Sequence, residues 1–180
     1  MNTQAGSDKV LFDFQSTTDS AVWQIVNDDV MGGVSTSQFQ LLPNGGAVFS
    51  GLVSLENNGG FASVRSSSVK HDLGGFDAFV LRVRGDGRRY KFTVRTETGL
   101  ATPLYQCAFA TKHGAGEDHW LPFKQFVQTF RGRVLTDVPP LNPANVTSMG
   151  FLISDQQAGA FQLEIKSIRA VRTGQASNLP

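Results

Sequence analysis

The chain is poor in the residues that usually announce chemistry. It has one cysteine, three histidines and three methionines in 180 residues, and its 16 basic and 15 acidic side chains leave a formal charge of +1. A lone Cys107 permits no internal disulfide, which suits a reducing compartment. Cys107 lies in the apolar run Tyr105-Gln106-Cys107-Ala108-Phe109, with no Cys-x-x-Cys or Cys/His spacing around it, so it reads as an inert, buried thiol. The near-zero charge gives no global attraction to nucleic acid or a membrane surface. No apolar run approaches the roughly 20 residues a spanning helix needs. The segment Met1–Lys9 is polar and lacks both a secretory h-region and the Arg-rich character of a transit peptide. The expected location is therefore cytoplasmic. There is no phosphate loop, no Gly-x-Ser-x-Gly elbow and no His-Glu-x-x-His, so neither catalysis nor a cofactor is expected.

Phenylalanine, by contrast, occurs fourteen times, with nineteen glycines and seven prolines. Alternation of period two dominates. It is clear in residues 10–14, 39–42, 47–50, 61–65, 79–84, 90–95, 105–110, 149–154 and 161–168. Pro43-Asn44-Gly45-Gly46 and Gly85-Asp86-Gly87-Arg88 read as hairpin turns between such runs. No window carries a helical apolar stripe; the best is Pro122-Phe123-Lys124-Gln125-Phe126, about one turn. Short strands with Gly-rich turns predict an all-β fold, an antiparallel β-sandwich of jelly-roll type. One domain over 9–172 is expected, with flexible polar termini at 1–8 and 173–180.

Three clusters are candidates for function. If the 85–88 turn keeps its strands adjacent, Arg82 and Arg84 share one outer face with Lys91, Thr93 and Arg95. That would be a basic stripe suited to planar, bidentate contacts, or a solvated face with weak cross-strand ion pairs. Asn27-Asp28-Asp29 most simply organises a turn through side-chain to backbone hydrogen bonds; a ligand-contact loop or an oxygen-ligated metal are the alternatives. His113-Gly114-Ala115-Gly116-Glu117-Asp118-His119-Trp120 reads as a mobile loop whose spacing matches no metal motif. Trp23 and Trp120, with Asn27 and Asp28, are candidate ligand-loop residues. Each Trp is either core or rim packing, or a sugar platform.

Several ordered motifs carry a family resemblance. They are Trp23-Gln24-Ile25-Val26-Asn27-Asp28-Asp29-Val30-Met31-Gly32-Gly33-Val34-Ser35, Phe49-Ser50-Gly51 and Asn57-Asn58-Gly59-Gly60-Phe61-Ala62-Ser63-Val64-Arg65. Leu81–Arg88, Trp120–Phe126, Arg131-Gly132-Arg133, Met149–Asp155 and Phe161–Ile165 follow in order. Together they resemble the complex I intermediate-associated protein 30 family, in a compact, stand-alone, bacterial form. The resemblance implies a galactose-binding-domain-like jelly roll and a non-catalytic assembly factor, a chaperone-like scaffold for a respiratory complex. Its partners would be protein subunits of a membrane complex, reached at the inner-membrane periphery. Arg82, Arg84, Lys91, Arg95, Arg131 and Arg133 are the partner-binding candidates. A carbohydrate-binding module is the alternative, and an RNA-binding module a weaker one, because near-zero charge and scarce exposed aromatics suit it poorly.

Overall fold

Alternating burial along each strand leaves two faces, and the apolar faces pack together. A computed structural model describes residues 8–15, 22–98 and 102–173. Among these, thirteen strands run β1 (Lys9–Phe12), β2 (Trp23–Ile25), β3 (Thr36–Leu41), β4 (Ala47–Val53), β5 (Ala62–Ser66), β6 (Ala78–Arg84), β7 (Arg89–Arg95), β8 (Leu104–Ala110), β9 (Gly116–Pro122), β10 (Val127–Phe130), β11 (Arg133–Val134), β12 (Ser148–Ile153) and β13 (Gly159–Val171). Among the described residues the helical segments are all single 3-10 turns, such as Phe123–Gln125 after Pro122.

Two antiparallel sheets form the sandwich. The first has the order β3-β4-β13-β6-β9, with β1 also paired to β13; the second has the order β11-β10-β8-β7-β12-β5-β2. The long β13 lies between β4 and β6, and its C-terminal half pairs with β1. The phenylalanines explain how the sheets meet. Phe79 of the first sheet and Phe92 of the second lie 5.1 Å apart edge to face, and Phe39 stacks on Trp23 at 5.1 Å. Such pairs add to the burial energy by about 0.5–1.5 kcal/mol each. Phe14, expected at the end of the first strand, instead leaves it with a positive φ of 55° and is buried against Trp23.

The strands expected from alternation all appear, and β3–β4 is the expected hairpin across Pro43–Gly46. The turn at 85–88 is a correction. It does not join neighbours in one sheet: β6 belongs to the first sheet and β7 to the second. Three contacts drive the crossing. Gly85 lies against Thr111, where an added Cβ would fall 2.2 Å from the threonine side chain. The Thr111 hydroxyl donates to the Arg88 carbonyl at 2.8 Å and accepts from Gly87 N–H at 3.1 Å. Asp86 accepts from the buried Tyr90 hydroxyl at 3.0 Å and from Gln162 N–H at 2.8 Å, and so ties the turn to β13. Burial, first, and the adjacent Asp86 charge push the Tyr90 phenol well above its usual pKa.

A second correction concerns 113–120. Residues 116–122 are not a loop but β9, the edge strand of the first sheet, paired with β6 from Ala78↔Pro122 to Arg84↔Gly116. Of the expected flexible termini, only Asp8 and Thr173 lie within the described residues. Asp8 pairs with Arg169 at 2.7 Å, and Thr173 donates to Asp77.

Candidate functional site

The motif Asn27 to Ser35 folds around one carboxylate. Asp28 opens a 3-10 turn, Asp28–Met31, and is fully buried. One of its oxygens accepts from Ser35 N–H at 3.0 Å. The other accepts from Ser35 Oγ at 2.6 Å, Gly60 N–H at 2.7 Å and Phe61 N–H at 3.3 Å. Ser35 Oγ in turn accepts from Ser54 N–H at 2.9 Å. Burial alone would raise the pKa of Asp28, but these donors outweigh it and hold the carboxyl below its ordinary value. The glycines leave room for the carboxylate. A Cβ on Gly33 would fall 2.4 Å from Asp28 Cγ, and one on Gly59 would fall 2.6 Å from Asp28 Oδ2. Asn27 adds a second clasp, its Oδ1 accepting from Ser37 Oγ at 2.8 Å and Ser63 N–H at 3.3 Å.

This knot was legible as side-chain to backbone bonding, but not in its reach. It joins three segments, at 27–37, 54 and 59–63, rather than closing one local turn. One oxygen accepts from a single protein donor and the other from three, so the carboxylate serves the fold as an acceptor. Among the described residues, no three His, Cys, Asp or Glu side chains gather where a metal could sit.

The knot presents an apolar rim. Val30 is 69% exposed and Met31 66%, both on the 3-10 turn. Val34, Leu52 and Leu55 are also exposed. Val34 precedes Ser35, Leu55 follows Ser54, and Leu52 pairs across β3–β4 with Thr36. Isolated exposed apolar residues are ordinary; here all five lie within three residues in sequence of a member of the knot, which makes them a candidate contact surface. The rim was not among the sequence candidates. Its signal, apolar Val30-Met31 inside a Gly-rich turn motif, was readable as framework only.

The six basic candidates do not converge. Arg82 and Arg84 lie on the outer face of the first sheet, whereas Lys91 and Arg95 lie on the outer face of the second, on the opposite side of the sandwich. The single basic stripe is therefore corrected, because the 85–88 turn changes sheets. Arg82 pairs with Asp118 at 3.2 Å in an exposed bridge, and Arg84 faces Glu164 across the β6–β13 register. Lys91 pairs with Asp155 at 2.8 Å. Arg95 donates to the Thr102 carbonyl. Arg131 and Arg133 sit apart, at the β10–β11 edge, with Arg131 over the Phe130 ring at 5.2 Å.

The ligand-loop set is dispersed as well. Trp23 is core, 7% exposed, whereas Trp120 is 43% exposed on the outer face of edge strand β9, opposite Val80. His119 turns inward against the Phe109 ring at 5.0 Å, and its Nε2 lies 3.4 Å from Glu117 Oε2. Cys107 is buried, and burial pushes its thiol pKa up.

Residues 12–165 match the family described as Complex I intermediate-associated protein 30 (CIA30). The mouse (Mus musculus) protein "Complex I intermediate-associated protein 30, mitochondrial" is 27% identical over 180 residues, covering 89% of this chain and 55% of its own length. The Drosophila melanogaster protein of the same name is 28% identical, covering 89% of this chain and 62% of its own. The chain thus spans a little over half of these relatives. Among solved structures, the family 11 carbohydrate-binding module of cellulosomal cellulase Lic26A-Cel5E of Clostridium thermocellum superposes with a TM-score of 0.73. The identity is 13%, covering 94% of this chain and 96% of the module. That likeness establishes the shared jelly-roll sandwich.

Proposed function

The chain belongs to the complex I intermediate-associated protein 30 family, and from that premise we propose that it is a non-catalytic binding protein, an assembly factor or scaffold for a multisubunit respiratory complex. Its partners are subunits or intermediates of a complex I-like membrane enzyme, met from the cytoplasmic side at the membrane periphery. No helix among the described residues is long and apolar enough to cross a membrane.

The observation that carries this reading is the rim of Val30, Met31, Val34 and Leu55 on the Asp28 knot. Apolar side chains on a braced loop gain from burial against a partner without a large ordering cost. Clustered candidate arginines would have supported charge-steered docking instead, and the two sheets separate them. One observation favours a carbohydrate-binding reading, which stands second. Trp120 is half-exposed on a sheet face beside the Arg82–Asp118 pair, and a structural neighbour is described in complex with a β-1,3-1,4-mixed-linked tetrasaccharide.

One affinity experiment separates the two. The tagged protein and a Val30→Lys/Met31→Lys variant are used to capture partners from the native cells, and both are run on gels containing mixed-linked β-glucan. Enrichment of NADH:ubiquinone oxidoreductase subunits by the native protein, lost in the variant, is the expected result. Retardation by glucan that Trp120→Ala abolishes, with no respiratory subunit captured, would replace this reading with the second.

A further inference from the structure

The outer face of the second sheet carries two arginines that nothing in the fold uses fully. Arg65 on β5 alternates with buried Val64 and Ser66, so its side chain faces outward and is half-buried. It makes no hydrogen bond or ion pair with any described residue. Arg95 on β7 faces the same way, two strands over, opposite Ser148 of β12. One of its terminal nitrogens donates to the Thr102 carbonyl and, at 3.3 Å, to the Thr102 hydroxyl; no carboxylate pairs with it among the described residues. On the same face of β7, Lys91 is engaged by Asp155, and Arg89 lies at the exposed start of the strand.

The two guanidiniums feel both burial and each other. Desolvation lowers the pKa of Arg65; desolvation and then the Arg65 charge lower that of Arg95. Partly buried cations without a counter-charge are unfavourable unless an anion completes them.

Their setting shapes the anion. Five residues align across five strands in consecutive register: Gln24, Arg65, Gly150, Thr93 and Gln106. At about 4.8 Å per strand this row is about 19 Å long, the span of about six extended residues. Gly150 leaves the middle of the row without a side chain. A Cβ there would fall 2.9 Å from Thr93 Oγ1 and 2.4 Å from the Val64 carbonyl. The row is therefore a shallow polar trough with a guanidinium on one wall and amide and hydroxyl groups along it. The aromatics of the central strands, Tyr90, Phe92, Tyr105, Phe109 and Phe151, are all buried on the other face. A trough without an exposed ring offers no platform for stacking a sugar or a base.

We propose that Arg65 and Arg95 form a binding site for the carboxylates of an extended acidic peptide segment lying along the Gln24–Gln106 row. Arg suits carboxylate through paired N–H donors, and Gln and Thr supply bonds to a peptide backbone. The site is distinct from the rim and does not depend on the identity of the respiratory partner.

The test uses the whole protein and a fluorescein-labelled peptide of alternating Glu and Gly, with its Gln-Gly counterpart as the neutral control. Anisotropy is read at low and high salt for the native protein, Arg65→Gln, Arg95→Gln, Arg65→Lys and the first-sheet control Arg82→Gln/Arg84→Gln. The acidic peptide should bind in a salt-sensitive way and the Gln-Gly peptide should not. Each Gln variant should weaken binding about tenfold, as loss of a charge-assisted bond does. Arg65→Lys should fall between, and the first-sheet control should match the native protein. Thermal unfolding of each variant confirms that its fold persists. Equal binding by Arg65→Gln and native protein, equal binding of both peptides, or no binding of the acidic peptide would overturn the proposal. A sulfated heparin-type oligosaccharide bound through the same arginines in place of the peptide would overturn it in favour of an anionic glycan.

Discussion

Replacing Asp28 by alanine removes the acceptor on which three chain segments converge. The variant strands Ser35 N–H, held at 3.0 Å, and Gly60 N–H, held at 2.7 Å. Phe61 N–H loses a longer bond of 3.3 Å. Ser35 Oγ has a second outlet, the Ser54 carbonyl at 3.3 Å, so its loss is partly relieved. Two stranded donors at about 1–3 kcal/mol each give an expected cost of about 4 kcal/mol. For a domain of this size that lowers Tm by about 8–16 °C. Urea unfolding followed by tryptophan fluorescence is the assay, because Trp23 is buried on β2, the strand that leads into the knot, and reports loss of the core. An unchanged denaturant slope will show that the unfolded state is not the cause. Asp28→Asn is not a rescue: it turns an amide donor toward Ser35 N–H or Gly60 N–H. Acid behaviour supplies an independent check. Because folding lowers the Asp28 pKa, its stabilisation is present above the unfolded value of about 3.9 and disappears as pH falls through the lower folded value. The native protein should lose this part of its stability below about pH 4, and Asp28→Asn should lack that acid limb. A loss under about 1 kcal/mol for Asp28→Ala would refute the knot as the brace of the rim.

Three further expectations rest on the packing and hydrogen bonds of the knot and of the 85–88 turn. Gly33→Ala and Gly59→Ala should each destabilise by about 1–3 kcal/mol, because their Cβ atoms would fall 2.4 and 2.6 Å from Asp28. Gly116→Ala, where nothing lies within 4 Å, should stay within about 0.5 kcal/mol of the native protein in the same unfolding assay. Asp86→Ala should cost about 2–4 kcal/mol, since it strands the buried Tyr90 hydroxyl and Gln162 N–H at the turn between sheets; parity with native stability would show that Thr111 alone sets the crossing.

Period-two alternation made most of the sandwich legible, because a strand with one buried face must write that pattern. Phe79, Leu81 and Val83 against Arg82 and Arg84 is a case. Strand β9 escaped because it is an edge strand whose inward face carries Glu117 and His119 before the one apolar residue Leu121. Strand β2 is three residues long, too short for a period. The destination of the 85–88 turn was not readable for a different reason. Glycine and aspartate permit a turn, but the choice between returning in the same sheet and crossing lies with Thr111 and Gln162, remote in sequence. The same holds at the site. Asp28 is recognisable as a hydrogen-bonding residue, whereas its acceptor role toward Gly60, 32 positions on, exists only after β2 and β5 pair.

The rim and the arginine trough meet along one edge of the molecule. Gln24 ends the polar row on β2, and two residues later Val26 N–H donates to the Ser63 carbonyl at 2.9 Å, where the chain enters the Asp28 knot. On the facing strand, Arg65 lies two residues beyond Ser63, which the Asn27 side chain holds. Hydrogen bonds of the knot therefore set the start of both strands that carry the near wall of the trough. Damage to Asp28 should reach Arg65 through β5, whereas Arg65→Gln, on an outward side chain with no bond to any described residue, should leave the knot intact. This asymmetry makes the surfaces separable by experiment. Rim substitutions at Val30 and Met31 and trough substitutions at Arg65 and Arg95 each alter one surface, and only the buried carboxylate between them alters both.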